Sequence, residues 1–499
     1  MASAGLAASE LVFQPQDFGA KADGRADDTP AFRAMHRAIR RRQDSARHDT
    51  GGSVPQFEIR LRPGHYRYSW NRWTWGLRHV AVIGRDAMIQ CTHPGPFDLD
   101  QAPLLSNRDH YWTWDPAGPA FGPPSAKPAE NYGWRIRTTE PGDTSITLLA
   151  AADIPVLSWV LVQSYAQQQD GYPPNPRHFE RARVMAIEGR RVRLDRPLRY
   201  LHRDDWPEDP SQPAAIGQAR LVWIDRPDCP LALSQSFIGL SVVSNPNHAV
   251  RDYNIRRTRE ILGLSGTLRA EVEDCHLIAL GVSQCGEVDI TNTSLDYVEP
   301  DKVVDRLTMV DCTIGEIREC TGVNNLSLQS CTIVTSAQLL AREVSVQDCE
   351  FQAAGPAGHS PGALQLGGPV PTRRMSVTGC RFLGPDPITR SVWQRIALSA
   401  PGVRVLEDGT HLEATPGETC AALLAVLGEG WPVWVGATSG RCTAIRGRGR
   451  GAVFTFDPPA LLRAGPLLRI PRLLHLAVCG CSFASPPARP DPPELSWCS

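Results

Sequence analysis

The chain has 499 residues, 42% of them hydrophobic, and a formal net charge of -1 at pH 7. That supplies enough apolar material for a large core, and no basic surplus that would draw nucleic acid or an anionic membrane surface. No stretch reaches the ~18 apolar residues of a membrane-crossing helix. The segment Met1 to Glu10 lacks the basic and apolar regions of a secretory signal, so cytoplasmic synthesis is the expectation.

The N-terminal segment carries two motifs in order. Asp17-Phe18-Gly19-Ala20-Lys21-Ala22-Asp23-Gly24 is followed by Asp27-Asp28-Thr29-Pro30-Ala31-Phe32 and an amphipathic run ending near Arg42. Asp27 or Asp28 suits a helix cap with Pro30 in the first turn, and Phe32, Met35 and Ile39 fall on one stripe. Then Phe57-Glu58-Ile59-Arg60-Leu61-Arg62 reads as a strand running into Pro63-Gly64-His65-Tyr66. Together these resemble the N-terminal pattern of the pectate lyase superfamily, DFGAxxDGxxDDTxA and then a strand ending in Pro-Gly-x-Tyr. The resemblance implies a right-handed parallel β-helix. It does not choose a reaction, because pectinolytic lyases, hydrolases, epimerases and phage tailspikes share it.

Residues 99 to about 133, with Trp112, Trp114, Phe121 and several prolines, read as a covering loop. Short alternating runs follow at Ser145 to Leu148, Trp159 to Val162, Ala182 to Ile187 and Arg191 to Leu194, with Gly189 in a turn, which predicts an inserted antiparallel β module. Trp223-Ile224-Asp225 is similar to the Trp-Ile-Asp-His of some pectate lyases, with Arg226 where histidine would stand. The loop after it crowds His248, Arg251, Asp252, Tyr253, Arg256, Arg257 and Arg259.

The C-terminal half repeats one short pattern seven times: Ala270 to Leu277, Val288 to Leu295, Leu307 to Ile314, Leu326 to Ile333, Val344 to Phe351, Met375 to Phe382 and Leu476 to Phe483. Anchored on Cys275, Thr293, Cys312, Cys331 and Cys349, the steps are 18, 19, 19 and 18 residues. Before the anchors stand Asp274, Asn292, Asp311, Ser330, Asp348, Gly379 and Gly480, residues that bend a backbone. A unit this short cannot bury its apolar face alone, so a fixed period implies stacked coils. This is an independent route to the parallel β-helix. The column cysteines, with Cys380 and Cys481, point inward and are expected as free thiols. The period breaks again over residues 385 to 474, where Val433 to Val435, Arg441 to Ile445 and Ala452 to Phe456 suggest a second small β module.

The expected fold is therefore all-β: a right-handed parallel β-helix with two inserted β modules and a short N-terminal capping helix. The segments are 1–98 for the cap and first coils, 99–235 for the loop and first module, 236–384 for the central coils, 385–474 for the second module, and 475–499 for the last coil and a Pro-rich tail.

Alternation within the repeat sends Ala270 and Val272 inward and Glu271 and Glu273 outward, with Asp289 beside Glu271 on the neighbouring strand. Two carboxylates side by side on a rigid sheet suit acid and base work on a glycosidic bond, so Glu271 and Asp289 are the catalytic candidates, with Glu273 and His276 as alternates. Arg251, Tyr253, Arg256, Arg257 and Arg259 are candidates for binding an acidic glycan. Lysine occurs only at Lys21, Lys127 and Lys302 among 52 basic residues; GC-rich codon usage or the fit of guanidinium to carboxylated sugars accounts for it. Gly358-His359-Ser360-Pro361-Gly362 and Gly447-Arg448-Gly449-Arg450-Gly451 read as loops, without the context of a nucleophile elbow or nucleotide site.

No cofactor, metal site or nucleic-acid partner is expected. Two functions remain: a lyase or glycoside hydrolase acting on an acidic or surface glycan, and a non-catalytic phage-like spike or adhesin that binds cell-surface polysaccharide. The second brings a homotrimer or an adaptor protein of a virion-like particle as partner; export by a non-classical route is the other way out of the cell.

Overall fold

In a computed structural model, the residues described are 11–49, 54–68, 74, 76–91, 133–165, 176–202, 204, 219–225, 231–243, 261–300, 303–318, 320–339 and 341–352, together with the later strands named below. The loop of Trp112, Trp114 and Phe121, the basic run from His248 to Arg259, Cys380, Cys481, Gly379, Gly480, both glycine motifs and the Pro-rich tail lie outside them. The chain divides into two compact units, residues 1–309 with 319–325, and residues 310–318 with 326–499.

The first unit begins with β1 (Val12–Phe13), helix α1 (Thr29–Asp49), β2 (Phe57–Arg60), β3 (Gly64–Tyr68) and β4 (His79–Cys91). The start of α1 follows from its two aspartates. Asp27 Oδ1 accepts the Thr29 N–H at 3.0 Å, and the Asp28 carbonyl accepts those of Ala31 and Phe32. Phe32, Met35 and Ile39 are fully buried, as their spacing predicts. The helix runs past Arg42 to Asp49, because Gln43 is buried and holds Gly76 and Arg78 through its side-chain amide. Gly64 has φ 150°, and a Cβ there would meet the Ala22 carbonyl at 2.7 Å, so the Pro-Gly-x-Tyr turn requires glycine.

The inserted module comprises β5 (Trp134–Arg135), β6 (Ser145–Thr147), β7 (Trp159–Tyr165), β8 (Pro176–Glu188), β9 (Arg191–Leu194) and β10 (Arg220–Trp223), in the order β5-β10-β7-β8-β9-β6. Neighbours run antiparallel, and Gly189 turns β8 into β9 with φ 60°. Its core gathers Ile146, Val160, Val162, Ala182, Val184 and Val192.

The solenoid resumes with β11 (Ala232–Val243), β12 (Ile261–Ser265), β13 (Thr267–Glu273), β14 (His276–Ser283), β15 (Glu287–Thr291), β16 (Ser294–Pro300) and β17 (Val304–Val310). All pairings are parallel, between coils: β2 with β4, β4 with β11, β11 with β13, β13 with β15, and β14 with β16. Asp274 and Asn292 adopt left-handed φ of 54° and 46°, which turns β13 into β14 and β15 into β16. The Asn292 side-chain amide donates to Asp274 Oδ1 at 2.8 Å, so stacked bends bond to each other. Val272, Ile290, Met309, Leu277 and Leu295 are buried, with Cys275 and Thr293 in the anchor column.

β18 (Thr313–Ile317) belongs to the second unit, and β19 (Val323–Gln329) begins in the first and ends in the second. The rest of the second unit is β20 (Thr332–Leu339), β21 (Glu343–Gln347), β22 (Glu350–Phe351), β23 (Leu364–Leu366), β24 (Arg374–Thr378) and β25 (Arg381–Leu383), then β26 (Val403–Val405), β27 (Leu412–Ala414), β28 (Pro432–Thr438), β29 (Arg441–Arg446), β30 (His475–Cys479) and β31 (Ser482–Ala484). Ile314 pairs with Ile333, Ile333 with Phe351, and Phe351 with Phe382 in parallel register. Leu328, Val346, Cys312, Cys331 and Cys349 are buried, and Asp311, Ser330 and Asp348 take φ of 55°, 52° and 52°. β24 and β25 pair directly with β30 and β31, so the segment between them is an insertion between consecutive coils; it holds the antiparallel hairpins β26–β27 and β28–β29. The architecture is a parallel β-solenoid with inserted antiparallel elements and one N-terminal helix.

Candidate functional site: the outer face of the first unit's sheet

Where apolar residues alternate inward, their neighbours form columns on the outer face, and the register assigns each a partner. One column runs Glu58, Ala81, Ser236, Glu271, Asp289. A second, two residues earlier on each strand, runs His79, Ser234, Arg269, Glu287. A third, two residues later, runs Arg60, Ile83, Ile238, Glu273, Thr291. Neighbouring strands lie about 4.8 Å apart, so this is a grid of mostly polar and charged side chains, interrupted by the buried Ala81 and two partly exposed isoleucines.

Ion pairs organise the grid. Arg269 Nε lies 3.4 Å from Glu271 Oε1, and Ser236 Oγ donates to Glu271 Oε2 at 3.2 Å. Arg306 Nη2, on β17, lies 3.0 Å from Glu287 Oε2 and 3.3 Å from Asp289 Oδ2. His79 Nδ1 is 2.9 Å from Ser234 Oγ; partial burial, with Arg78 alongside, lowers the imidazole below its ordinary pKa. These pairs are solvent-exposed, with about half of the Arg269 and Glu271 side chains accessible. Such pairs contribute at most ~1 kcal/mol each, so their partners are exchangeable.

The register sets Glu271 directly opposite Asp289 on adjacent strands, with Glu273 on the same face two residues along. His276 is exposed but lies on β14, beyond the left-handed bend at Asp274, in line with Ser241 and Ser294 rather than with Glu271. Arg251, Tyr253, Arg256, Arg257 and Arg259 lie outside the described residues. Arg269 and Arg306, the cations that the described face presents to its carboxylates, were legible in the repeat: they stand six residues before their anchors, in the column that continues through Glu287.

Other polar clusters in this unit are structural. Asp225, of the Trp-Ile-Asp segment, binds the Arg78 guanidinium through both oxygens and the Leu231 N–H. His202, fully buried, lies 2.9 Å from Glu180 Oε1 and 3.3 Å from Ser164 Oγ. Glu180 also accepts the Arg199 and Tyr200 N–H groups, and Ser164 is fully buried, so no substrate reaches this serine. Arg181 ties the module to the coils through Asp305 at 2.6 Å and the Val303 carbonyl at 2.8 Å. Among the described residues, no group of three or more His, Cys, Asp or Glu side chains is placed to hold a metal ion, and no helix is long and apolar enough to cross a membrane.

No protein-family model matches the chain, and no curated protein matches it. The pectate lyase resemblance thus rests on the N-terminal residues alone. Among solved structures, the chain is similar to the tailspike protein gp49 from Pseudomonas phage LKA1, at 12% identity and TM-score 0.34, over 74% of this chain and 64% of that one. It is similar to the tailspike gp61 of Pseudomonas phage phi297, at 12% identity and TM-score 0.33 over the same shares. A third likeness is the Gp54 tailspike of Acinetobacter baumannii bacteriophage AP22, solved in complex with A. baumannii capsular saccharide, at 7% identity and TM-score 0.36 over 76% of this chain and 60% of that one. The chain spans less than two thirds of the length of these tailspike chains.

Proposed function

We propose that the protein binds an acidic polysaccharide along the outer face of the first unit's sheet, in the manner of a spike or adhesin. The observation that carries this reading is the pairing of Arg269 with Glu271, and of Arg306 with Glu287 and Asp289, on an exposed sheet. A guanidinium offers a planar fork that matches a sugar carboxylate. Weak exposed pairs release it at little cost when such a ligand arrives, while Ile83 and Ile238 supply an apolar floor for the sugar ring.

A second reading is cleavage, favoured by the direct register of Glu271 and Asp289. It accords less well with the ion pairs, which engage both carboxylates instead of leaving one aimed as a proton donor at a glycosidic oxygen. In this reading the particle-borne spike, its trimer and its adaptor are replaced by a lyase or hydrolase of the pectate lyase type.

The Glu271→Gln/Asp289→Asn protein separates the readings. Binding alone predicts that it holds polygalacturonate as tightly as the parent or more tightly, since Arg269 and Arg306 are freed, and that neither protein releases product. Loss of new reducing ends, or of the absorbance of unsaturated uronate ends, in the variant but not the parent would establish cleavage. Absence of binding to any carboxylated polymer would remove both readings.

A further inference from the structure

Two backbone irregularities in the inserted module each present an apolar side chain to water. Leu157 has φ 70°, a left-handed conformation that costs a leucine about 1–2 kcal/mol and that glycine or asparagine takes more readily. The residue is 52% exposed and Val156 54%. The register between β8 and β9 slips between Val184 and Ala186, so Met185 is the extra residue of a bulge, 38% exposed. Bulges re-aim side chains and recur beside functional sites. The two irregularities touch, because the Leu157 N–H donates to the Val184 carbonyl at 2.7 Å.

Beside them, two guanidiniums are held in place by one indole. Arg183 and Arg196 lie 5.7 and 5.8 Å from the Trp159 ring centroid. Arg183 Nε also reaches the Leu157 carbonyl at 3.3 Å, and Arg196 Nη2 lies 3.0 Å from Asp195 Oδ2. Partial burial raises the Asp195 carboxyl, but the Arg196 guanidinium and the Arg183 N–H outweigh it and hold the group below its ordinary value. Both arginines are thus oriented before any ligand arrives, which lowers the entropy cost of binding.

We infer that Leu157, Met185, Arg183 and Arg196 form a second acidic-glycan subsite on the inserted module, separate from the grid on the coils. The inference rests on the polysaccharide reading above. The arginines take a sugar carboxylate, and the exposed aliphatic side chains take the apolar face of the ring. A protein partner fits less well: a stable interface covers about 800 Å² on each side with few charges at its centre, whereas this patch is three apolar side chains beside two guanidiniums, Arg183 and Arg196, that share one indole and face one carboxylate, Asp195. The local surplus is positive and matches an anionic polymer.

The test is affinity electrophoresis of the full chain through gels containing polygalacturonate, alginate or neutral dextran, with sedimentation velocity on the same samples. The parent should be retarded by the carboxylated polymers alone, and Arg183→Ala/Arg196→Ala should bind about tenfold more weakly, the loss of a charge-assisted contact. Leu157→Gly should melt higher yet bind more weakly, a combination that a purely structural turn does not produce. A retained parent with unchanged retention of both variants overturns this subsite and leaves the polysaccharide reading standing. A parent that no carboxylated polymer retards overturns both. Variants that alter sedimentation rather than retardation would show a second copy of the chain on the patch and overturn the glycan assignment.

Discussion

The coils and the inserted module are both β-structure, yet they are held by different means. In the coils most inward positions are apolar or a small thiol, the bends at Asp274, Asn292, Asp311, Ser330 and Asp348 are left-handed, and the charged groups stand on the outer face. In the module and at its junction with the coils, buried polar groups do part of the fastening: Glu180 with His202, and Arg181 with Asp305. The contrast teaches where each region is vulnerable. A coil loses stability in proportion to the side chain spoiled, because its contacts repeat. The module depends on a few charged groups, each of which leaves a partner stranded when removed.

The largest expected effect is Leu328→Asp, which sets an unpaired carboxylate at a fully buried position of a coil and should cost at least ~4 kcal/mol, read as loss of the cooperative melt. Arg181→Leu should come next, at about 3 kcal/mol by denaturant unfolding, since Asp305 and the Val303 carbonyl lose their partner. A smaller loss than that of a typical coil substitution would break the contrast drawn above. Asn292→Ala should cost about 1–2 kcal/mol through the left-handed φ and the lost bond to Asp274, whereas Asn292→Gly should cost less because it removes only the bond.

The smallest effect is an absence of reaction. Burial pushes the Cys275 thiol up to about 11 and the Cys285 thiol up to about 12. Both sit far above neutral pH, so the reactive thiolate is scarce in the folded protein and appears only as pH approaches those values. Iodoacetamide at pH 8 should leave Cys275 and Cys285 unlabelled until denaturant is added. Labelling of the native protein would show that the coils open.

The coils were legible because their signal repeats. A buried residue at one anchor predicts the next 18 or 19 residues on, and the positive φ at Asp274, Asn292, Asp311, Ser330 and Asp348 recurs at the position just before the anchor. The module was legible where apolar and polar residues alternate, as in β6, β7, β8 and β9. β5 is two residues, too short to show a period, β10 buries the consecutive Leu221 and Val222 and so does not alternate, and Arg181 lies in a run that reads as half-exposed yet is buried against Asp305, a partner far along the chain. The helix runs on past Arg42 for a similar reason: no Gly or Pro lies between Pro30 and Gly51, and the hold on Gln43 is tertiary. At the candidate site, the alternation identified Glu271 and Asp289, but their engagement by Arg269 and Arg306 depends on side-chain reach between coils, which sequence spacing does not fix.

The central claim is that the arginines of the outer face bind an acidic polysaccharide, and it is tested most directly by the dissociation constant for polygalacturonate across a salt series, with parent and Arg269→Ala/Arg306→Ala proteins side by side. The account predicts that the parent weakens as salt rises, and that the variant, equally stable, binds about tenfold more weakly at low salt with a shallower salt dependence. A folded variant whose affinity and salt dependence match the parent's would contradict it.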